Sequence, residues 1–307
     1  MNKIRYIVTS ITILILGACQ KLDFKADMSK DDFINVRIAP YVPLVKSLNY
    51  FAPDTNDVFA YGFVNQEESV VSGIKQDSID EDGIHLYSLP AGSDSVVFSN
   101  CSLEENWNDQ FDHLSCSKDF DTKTLTFKRS ADLYSTCDLV AGGASVNDTD
   151  SDGVVKVHLH RLTAYLSATL RFVDAERNEL TFTDYIQKAG LAVVNQAVSV
   201  GCDVKGDVSI SERSLDNGSI SYVTSQSLCS QKPMFPTSQG MNAEVKLYLK
   251  NYDGSVTVLT KELSYPFERN KHYVLTITVK RNETAFGGFM VEDIVSETID
   301  IQLNYSL

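Results

Sequence analysis

The chain has 307 residues, of which 43% are hydrophobic and 22% charged, and its formal net charge is −14. This composition is typical of a globular body and excludes a disordered chain, and the length allows one or two domains. A strongly acidic surface repels phosphate backbones and anionic headgroups. The charge therefore argues against nucleic-acid binding and against membrane attachment through a basic patch.

The first 18 residues are laid out as an export signal. Lys3 and Arg5 begin it, residues 6–16 are mostly apolar, and small residues precede Cys19. This order is that of a cleaved signal peptide, and the apolar stretch is about half the ~20 residues that a membrane-spanning helix needs. We predict a signal peptide over residues 1–18. Its removal takes away two basic residues and no acid, which leaves a net charge of about −16.

The four residues Leu16-Gly17-Ala18-Cys19 resemble the lipobox of bacterial lipoproteins. In that family a peptidase cuts before the cysteine, and the thiol carries a diacylglyceryl group. The resemblance implies lipid on Cys19, with palmitate-like chains, a tether over residues 19–30, and an outer-membrane lipoprotein at the cell surface. A single acyl chain anchors only marginally, whereas several chains hold durably. The alternative is an ordinary signal peptide that ends in a chance cysteine.

Five further cysteines follow, and none forms a C-x-x-C pair, so redox and zinc sites have no support. They are Cys101, Cys116, Cys137, Cys202 and Cys229. Export permits disulfides, and the pairs Cys101–Cys116 and Cys202–Cys229 would each close a modest loop. Free, buried thiols that act as small hydrophobic residues are the equal alternative.

Alternation of apolar and polar residues predicts strands along most of the chain after residue 30. In the first half the predicted strands are FINVRIA (33–39), GIHLYSL (83–89), DSVVFSN (94–100) and KTLTFKR (123–129). Gly, Asn, Asp and Ser separate them, as expected of turns.

The clearest strand is RLTAYLSATLRF, residues 161–172. Its apolar face consists of Leu162, Ala164, Leu166, Ala168, Leu170 and Phe172. Upstream, the apolar residues at 155, 157 and 159 alternate in the opposite phase, so the phase slips around His160 and Arg161. A bulge or bend would produce this slip, and we predict a transition between sheets or domains there.

Five further segments are predicted between residue 183 and the end of the sequence. Strands are predicted at 244–250, 255–259 and 273–279, with an Asp253-Gly254 hairpin turn between the first two. A short helix is predicted at 183–189, capped by Thr183. The last residues form an amphipathic strand whose apolar face is Ile299, Ile301, Leu303, Tyr305 and Leu307.

Many short strands separated by turn residues predict an all-β fold of antiparallel sandwiches. The polar, Gly-containing stretch at 141–153 is the best candidate linker. We therefore predict two tandem β-sandwich domains, over residues 31–150 and 151–307.

Two sequence patterns are candidates for metal-binding sites. Asp148, Asp150 and Asp152 match the start of a D-x-D-x-D-G calcium loop, but the twelfth position is Leu159, which lacks a carboxylate. His158 and His160 form an H-x-H pair on a strand, without an obvious third ligand. All five residues are weak metal candidates, and a solvated linker is the simpler explanation of the aspartates.

The sequence has no P-loop, Rossmann or G-x-S-x-G motif. We therefore predict no enzyme activity, no catalytic residue and no cofactor.

Three stretches together resemble the fimbrillin superfamily of Bacteroidota surface lipoproteins, especially its anchor and accessory subunits. They are LYSLPAGSDSVVFSN (86–100), residues 131–172 from ADLYSTCDLVAGG to the clearest strand, and ELSYPFERNKHYVLTITV (262–279). The likeness covers most of residues 30–307. Ser93 and Asp94 depart from it, because the family often has a Tyr nearby. The resemblance implies two transthyretin-like domains and a role in surface fimbriae.

In that family the stalk precursors lose their first strand to a protease that cuts at an Arg, and a neighbour's terminal strand fills the gap. The resemblance thus makes Arg37 a candidate cleavage site and residues 299–307 a candidate donor strand. Completion of its own domain is the alternative for that strand.

The leading hypothesis is a structural fimbrial anchor, accessory or minor subunit, joined to other subunits by strand addition and to the outer membrane through Cys19. The alternative is a ligand- or glycan-binding surface lipoprotein of a nutrient-uptake system, which requires exposed aromatic residues clustered on the second sandwich.

Overall fold

The computed structural model describes residues 33–41, 58–64, 74–75, 77–81, 84–101, 114–129, 138–215, 222–282 and 288–299. These residues form β-strands apart from turns and one 3₁₀ helix, Phe182–Asp184, so the all-β class is confirmed. Strands of the first half are β1 (Phe33–Tyr41), β2 (Phe59–Val64), β3 (Ile74–Lys75), β4 (Ser78–Ile79), β5 (His85–Pro90), β6 (Ser93–Ser99), β7 (Leu114–Asp119), β8 (Thr124–Arg129), β9 (Val140–Ser145), β10 (Val154–His158) and β11 (His160–Arg161). Strands of the second half are β12 (Ala164–Val173), β13 (Ile186–Val194), β14 (Gln196–Ala197), β15 (Ser199–Asp203), β16 (Val208–Ile210), β17 (Ser214–Leu215), β18 (Tyr222–Val223), β19 (Ser227–Met234), β20 (Glu244–Asn251), β21 (Val256–Glu262), β22 (His272–Asn282) and β23 (Gly288–Ile299).

Five larger sheets organise these strands. Sheet A has the order β10-β1-β5-β4, sheet B β11-β9-β6-β2-β3, and sheet C β16-β15-β8-β7. Sheet D has the order β19-β12-β22-β23 and sheet E β18-β13-β20-β21, while β14 pairs with β17. Most neighbours are antiparallel, but β1 runs parallel to β10 and β12 parallel to β22.

Sheet B is the middle layer of the first region. Along β2, Ala60 packs into a core shared with sheet A, whereas Phe59 and Tyr61 pack into a core shared with sheet C. Along β6, Phe98 packs into the core shared with sheet A, and Val97 packs into the core shared with sheet C. Both faces of sheet B are therefore buried, which explains why its strands do not alternate between apolar and polar residues.

Two glycines of β9 let the layers approach closely. A Cβ atom on Gly142 would lie 2.2 Å from the His158 carbonyl oxygen in sheet A, and one on Gly143 would lie 2.2 Å from the Asp203 carbonyl oxygen in sheet C. Real Cβ atoms do not approach backbone that closely, so glycine is required at both positions. The stretch predicted as a linker at 141–153 therefore contains most of β9, which is buried up to Gly142 and becomes exposed at Ser145.

Sheets D and E enclose the second core. From β12 it receives Ala164, Leu166, Ala168, Leu170 and Phe172, as the alternation predicts. Leu162, assigned to the same face, instead joins the core between sheets B and C. The predicted transition near His160 is confirmed, because the consecutive strands β10, β11 and β12 belong to sheets A, B and D.

The short helix predicted at 183–189 is wrong. The 3₁₀ helix ends at Asp184, and β13 begins at Ile186. The register against β20 shifts between Ile186 and Lys188, and both Ile186 and Ala189 face the core. This bulge gives two buried residues a spacing of three, which imitates helical periodicity in the sequence.

The other strands predicted up to residue 279 and the hairpin between β20 and β21 are confirmed, with Gly254 at a positive φ in its turn, whereas the strand predicted over the last residues lies almost entirely outside the described residues. The domain boundary at residues 150 and 151 stays a prediction. Strands β10 and β11 follow it but pair with strands that precede it, and β15 pairs with β8 in sheet C.

Candidate functional site

The first strand of the body lies between two neighbours in sheet A. On one side β1 runs parallel to β10, with Arg37 opposite Val154 and Tyr41 opposite His158. On the other side it runs antiparallel to β5, with Phe33 opposite Pro90. Neighbouring strands lie about 4.8 Å apart, so without β1 the edges of β10 and β5 would bound a groove one strand wide.

The inner face of this part of sheet A is well packed. Ile38 is 1% exposed and shares the A–B core with Tyr87 and Leu89 of β5 and Val155 of β10. The Tyr87 hydroxyl donates to the Val58 carbonyl oxygen at 2.8 Å, and burial raises the pKa of Tyr87. These contacts hold β1 in place by side-chain packing as well as by its two ladders.

Arg37, the candidate cleavage site, lies on the outer face of β1. Its guanidinium donates to the Asp152 carbonyl oxygen at 3.1 Å and lies 3.5 Å from the Asp80 carboxylate. Its side chain is 45% exposed, so this ion pair contributes little to stability. The side chain is accessible, but the backbone around it is paired on both sides. A protease would therefore have to peel β1 out of sheet A before it could cut.

The candidate donor strand falls mostly outside the described residues. Its first residue, Ile299, is the last residue of β23 and pairs with His272 of β22. Ile301, Leu303, Tyr305 and Leu307 lie outside the described residues, as do the signal peptide, Cys19 and the tether. Because β23 is an edge strand, its outer side is unpaired within sheet D.

The acidic stretch forms a turn between β9 and β10. Asp150 accepts hydrogen bonds from the backbone N–H groups of Asp152 and Val154, both at 3.0 Å. These bonds lower the pKa of Asp150 and use the carboxylate to cap its own turn. Within the described ranges, no group of three or more His, Cys, Asp or Glu side chains is placed to hold a metal ion. The metal role of Asp148, Asp150 and Asp152 stays a prediction.

The two histidines of the H-x-H pair belong to different sheets. His158 is exposed at the end of β10, and half-buried His160 begins β11. Burial, together with the nearby charge of Arg269, lowers the pKa of His160.

Four of the five body cysteines are described, and no disulfide joins any two of them. Cys202 lies in the core between sheets B and C, whereas Cys229 packs against the core between sheets D and E. Burial raises the pKa of Cys202 to about 12 and that of Cys229 to about 11, so both remain protonated. The possible pairs Cys101–Cys116 and Cys202–Cys229 are not formed, and the thiols act as small buried residues.

The glycan-binding alternative requires exposed aromatic residues on the second sandwich. On the outer face of sheet E, half-buried Tyr222 and Tyr248 both pair with Gly190 of β13, one from each side. Tyr252 in the adjoining hairpin is 63% exposed. This alternative stays a prediction.

Sequence reasoning missed a cavity of about 700 Å³. Two loops line it, residues 237–242 and 266–271, together with Ile210 of β16. No sequence motif marks it, because its lining converges only when β16, the loop after β19 and the loop before β22 are packed together.

In the described part of the chain, none of the helical segments is long and apolar enough to cross a membrane. No family model matches the sequence, and no curated protein matches it.

Several solved structures are similar. A fimbrial anchor protein from Porphyromonas gingivalis is 11% identical, with a TM-score of 0.45, over 86% of this chain and 97% of that one. A candidate cell adhesion protein from Bacteroides uniformis is 14% identical, with a TM-score of 0.44, over 89% and 99%. A candidate polysaccharide-binding protein from Bacteroides thetaiotaomicron is 12% identical, with a TM-score of 0.45, over 87% and 98%. Because each TM-score is below 0.5, we infer the function from this chain's own residues.

Proposed function

We propose that this chain is a structural, non-enzymatic lipoprotein of the cell surface that serves as a fimbrial anchor, accessory or minor subunit. Lipid on Cys19 attaches it to the outer membrane, and exchange of β-strands joins it to other subunits. The observation that carries the proposal is the position of β1, which is paired on both sides in sheet A. The N-terminal end of the body is thereby fastened into the fold, next to the predicted tether.

We infer that β1 is retained in the mature chain, and a retained first strand favours the anchor role among these three. With β1 in place, the described residues leave no strand-wide groove between β10 and β5, and the proposed chain stays continuous with its lipid. The proposed contribution of this chain to assembly is that of a strand donor. The predicted donor strand, residues 299–307, has nine residues, and so has β1. A partner that has lost a strand of this length would present a groove that residues 299–307 fill by main-chain pairing.

The donor role is tested in cells that assemble the fimbria. Deletion of residues 300–307, which begins after β23 ends, is expected to abolish capture of partner subunits while leaving the body folded. Leu303→Asp and Gln302→Asp form a matched pair, because each adds one charge at adjacent positions on opposite faces of the strand. Leu303→Asp is expected to abolish co-purification of partners and Gln302→Asp to preserve it. Equal assembly by both variants would contradict the donor role.

The attachment role is tested separately. Cys19→Ser is expected to move the protein from the membrane fraction to the medium or periplasm, and mass spectrometry of the wild type is expected to show an acylated N-terminal Cys19. Arg37→Ala is expected to leave the mature mass unchanged apart from the substitution. A mature wild-type chain that begins at Ile38 would show removal of the first strand and exclude the anchor role.

A further inference from the structure

The cavity between the loops at 237–242 and 266–271 has the chemistry of a small-molecule site. Its volume of about 700 Å³ lies within the ~300–1,000 Å³ range of such sites. Its lining combines an apolar part with polar groups, since Phe267 is 1% exposed and Met241 38%. Five of its 13 residues carry uncharged hydroxyl or amide groups: Thr237, Ser238, Gln239, Asn242 and Asn270.

The charge of this lining is opposite to that of the whole chain. Lys271 forms an ion pair with Glu268, which leaves Arg269 as the excess cation. Arg269 is half-buried near Cys202 and His160, and among the described residues no carboxylate forms an ion pair with it. Burial lowers the pKa of Arg269, because its charge is partly withdrawn from water. A carboxylate on a ligand would offset the free-energy cost of burying the Arg269 charge by forming a charge-assisted, bidentate contact with the guanidinium.

Two uncharged side chains of the cavity lining also have unused hydrogen-bonding capacity. Ser238 is 1% exposed, and its Oγ has no partner within the described structure. Ser238 belongs to the lining of the cavity. Asn270 accepts a hydrogen bond from Arg161 at its Oδ1, at 3.3 Å, which leaves its Nδ2 group as a donor. Buried hydroxyl groups are normally paired, so Ser238 calls for a ligand oxygen or another acceptor.

We propose that this cavity binds a sugar acid, such as a uronic acid unit, with its carboxylate on Arg269, its hydroxyl groups on Ser238 and Asn270, and its apolar face against Phe267 and Met241. The carboxylate requirement comes from the excess cation in a chain of net charge −14. The hydroxyl requirement comes from the amide and hydroxyl lining. The site is independent of strand exchange and of the lipid anchor.

Isothermal titration calorimetry on the full-length chain tests the site with galacturonate and glucuronate against galactose and glucose. Saturable binding of a uronate, roughly tenfold or more tighter than its neutral parent, is expected, because hydrogen bonds to charged groups are worth about 1.5–3 kcal/mol. Arg269→Gln is expected to remove this preference and Arg269→Lys to retain part of it. The matched control is Arg171→Gln, which loses the same charge at an exposed residue outside the cavity.

A second variant separates binding from a structural role. Ser238→Ala is expected to weaken uronate binding severalfold while leaving the Tm unchanged or higher, since it removes an unpaired buried hydroxyl. Absence of uronate binding to the wild-type chain would overturn the proposal. So would an equal loss in Arg171→Gln, or equal affinity for acetate or for the free C-terminal carboxylate of a peptide, which would exclude a sugar acid as the ligand.

Discussion

The two regions of this molecule bury their strands in different ways. In the second region, sheets D and E each turn one face inward, so β12, β20 and β22 alternate between buried and more accessible residues. In the first region, sheet B lies between sheets A and C and is buried on both faces. Strands of the second region therefore alternate between apolar and polar residues in the sequence. Strands of sheet B in the first region are instead almost continuously apolar.

The close approach of layers in the first region is the most sensitive feature. Gly143→Val is expected to destabilise the protein by about 5 kcal/mol or more, or to prevent folding, because its Cβ would overlap backbone atoms of Asp203 and Val204. Urea denaturation followed by circular dichroism measures the effect. The control Gly254→Ala, in an open turn of the second region at φ 87°, is expected to cost only about 1–2 kcal/mol. Similar costs for the two variants would contradict the layered packing.

A buried ion pair of the first region, which is also hydrogen-bonded to the second region, gives the next largest effect. Arg161 is fully buried, and its Nε lies 2.7 Å from the Asp138 carboxylate, which also accepts from the Thr163 hydroxyl at 2.8 Å. Arg161 further donates to Asn270, next to β22. Arg161→Ala leaves the Asp138 charge buried without its partner and is expected to cost about 3–5 kcal/mol.

The double variant Asp138→Leu/Arg161→Met distinguishes charge from packing. It replaces the pair by apolar side chains and is expected to recover most of the stability lost in Arg161→Ala. Chemical denaturation of the wild type and both variants measures this recovery. A double variant no more stable than Arg161→Ala would show that the polar network, and not the unpaired charge, determines the stability there.

The smallest expected effect is a pH dependence of the stability, to which one buried histidine in each region contributes. Burial lowers the pKa of His85 in sheet A, against the opposing charge of Asp80, and lowers the pKa of His272 in sheet D. The unfolded chain then binds protons that the folded chain does not. The contribution of each histidine is thus fully present above pH ~6.5 and is lost as the pH falls through the folded pKa.

The free energy of unfolding is therefore expected to fall between pH 7 and pH 5. Replacement of either histidine is expected to reduce the slope of this fall with pH. His85→Phe preserves the ring stacked on Tyr87, and His272→Gln preserves a partner for the Ser167 hydroxyl. The midpoint of urea denaturation, measured at several pH values, gives the slopes. The exposed His158→Gln serves as the control for loss of one histidine, and an equal change in its slope would argue against burial as the cause.

The success of the sequence predictions follows the burial of each strand. The alternation at Tyr273, Leu275, Ile277 and Val279 predicts β22 because only one face of that strand lies in the core. In β9 the sequence VAGGAS carries small residues for close layer contact, and small residues imitate a flexible linker. The bulge at β13 likewise produced a spacing that imitates a helix.

The candidate sites, like the strands, were only partly predictable from the sequence. The sequence makes Arg37 a candidate within a strand, but only the tertiary structure pairs that strand on both sides. Arg269 and Ser238 carry no motif, since they converge on the cavity from loops separated along the chain.

The sequence by itself determined the acidic, all-β character of this protein and most strands with one buried face, because composition and period-two alternation are local properties. It also supplied the prediction of a lipid on Cys19, which rests on four adjacent residues. Only the tertiary structure decided that β10, β11 and β12 enter three different sheets, that sheet B is buried on both faces, and that β1 is held between β10 and β5. These features depend on which distant strands pair and pack together, and no short stretch of sequence encodes such long-range contacts.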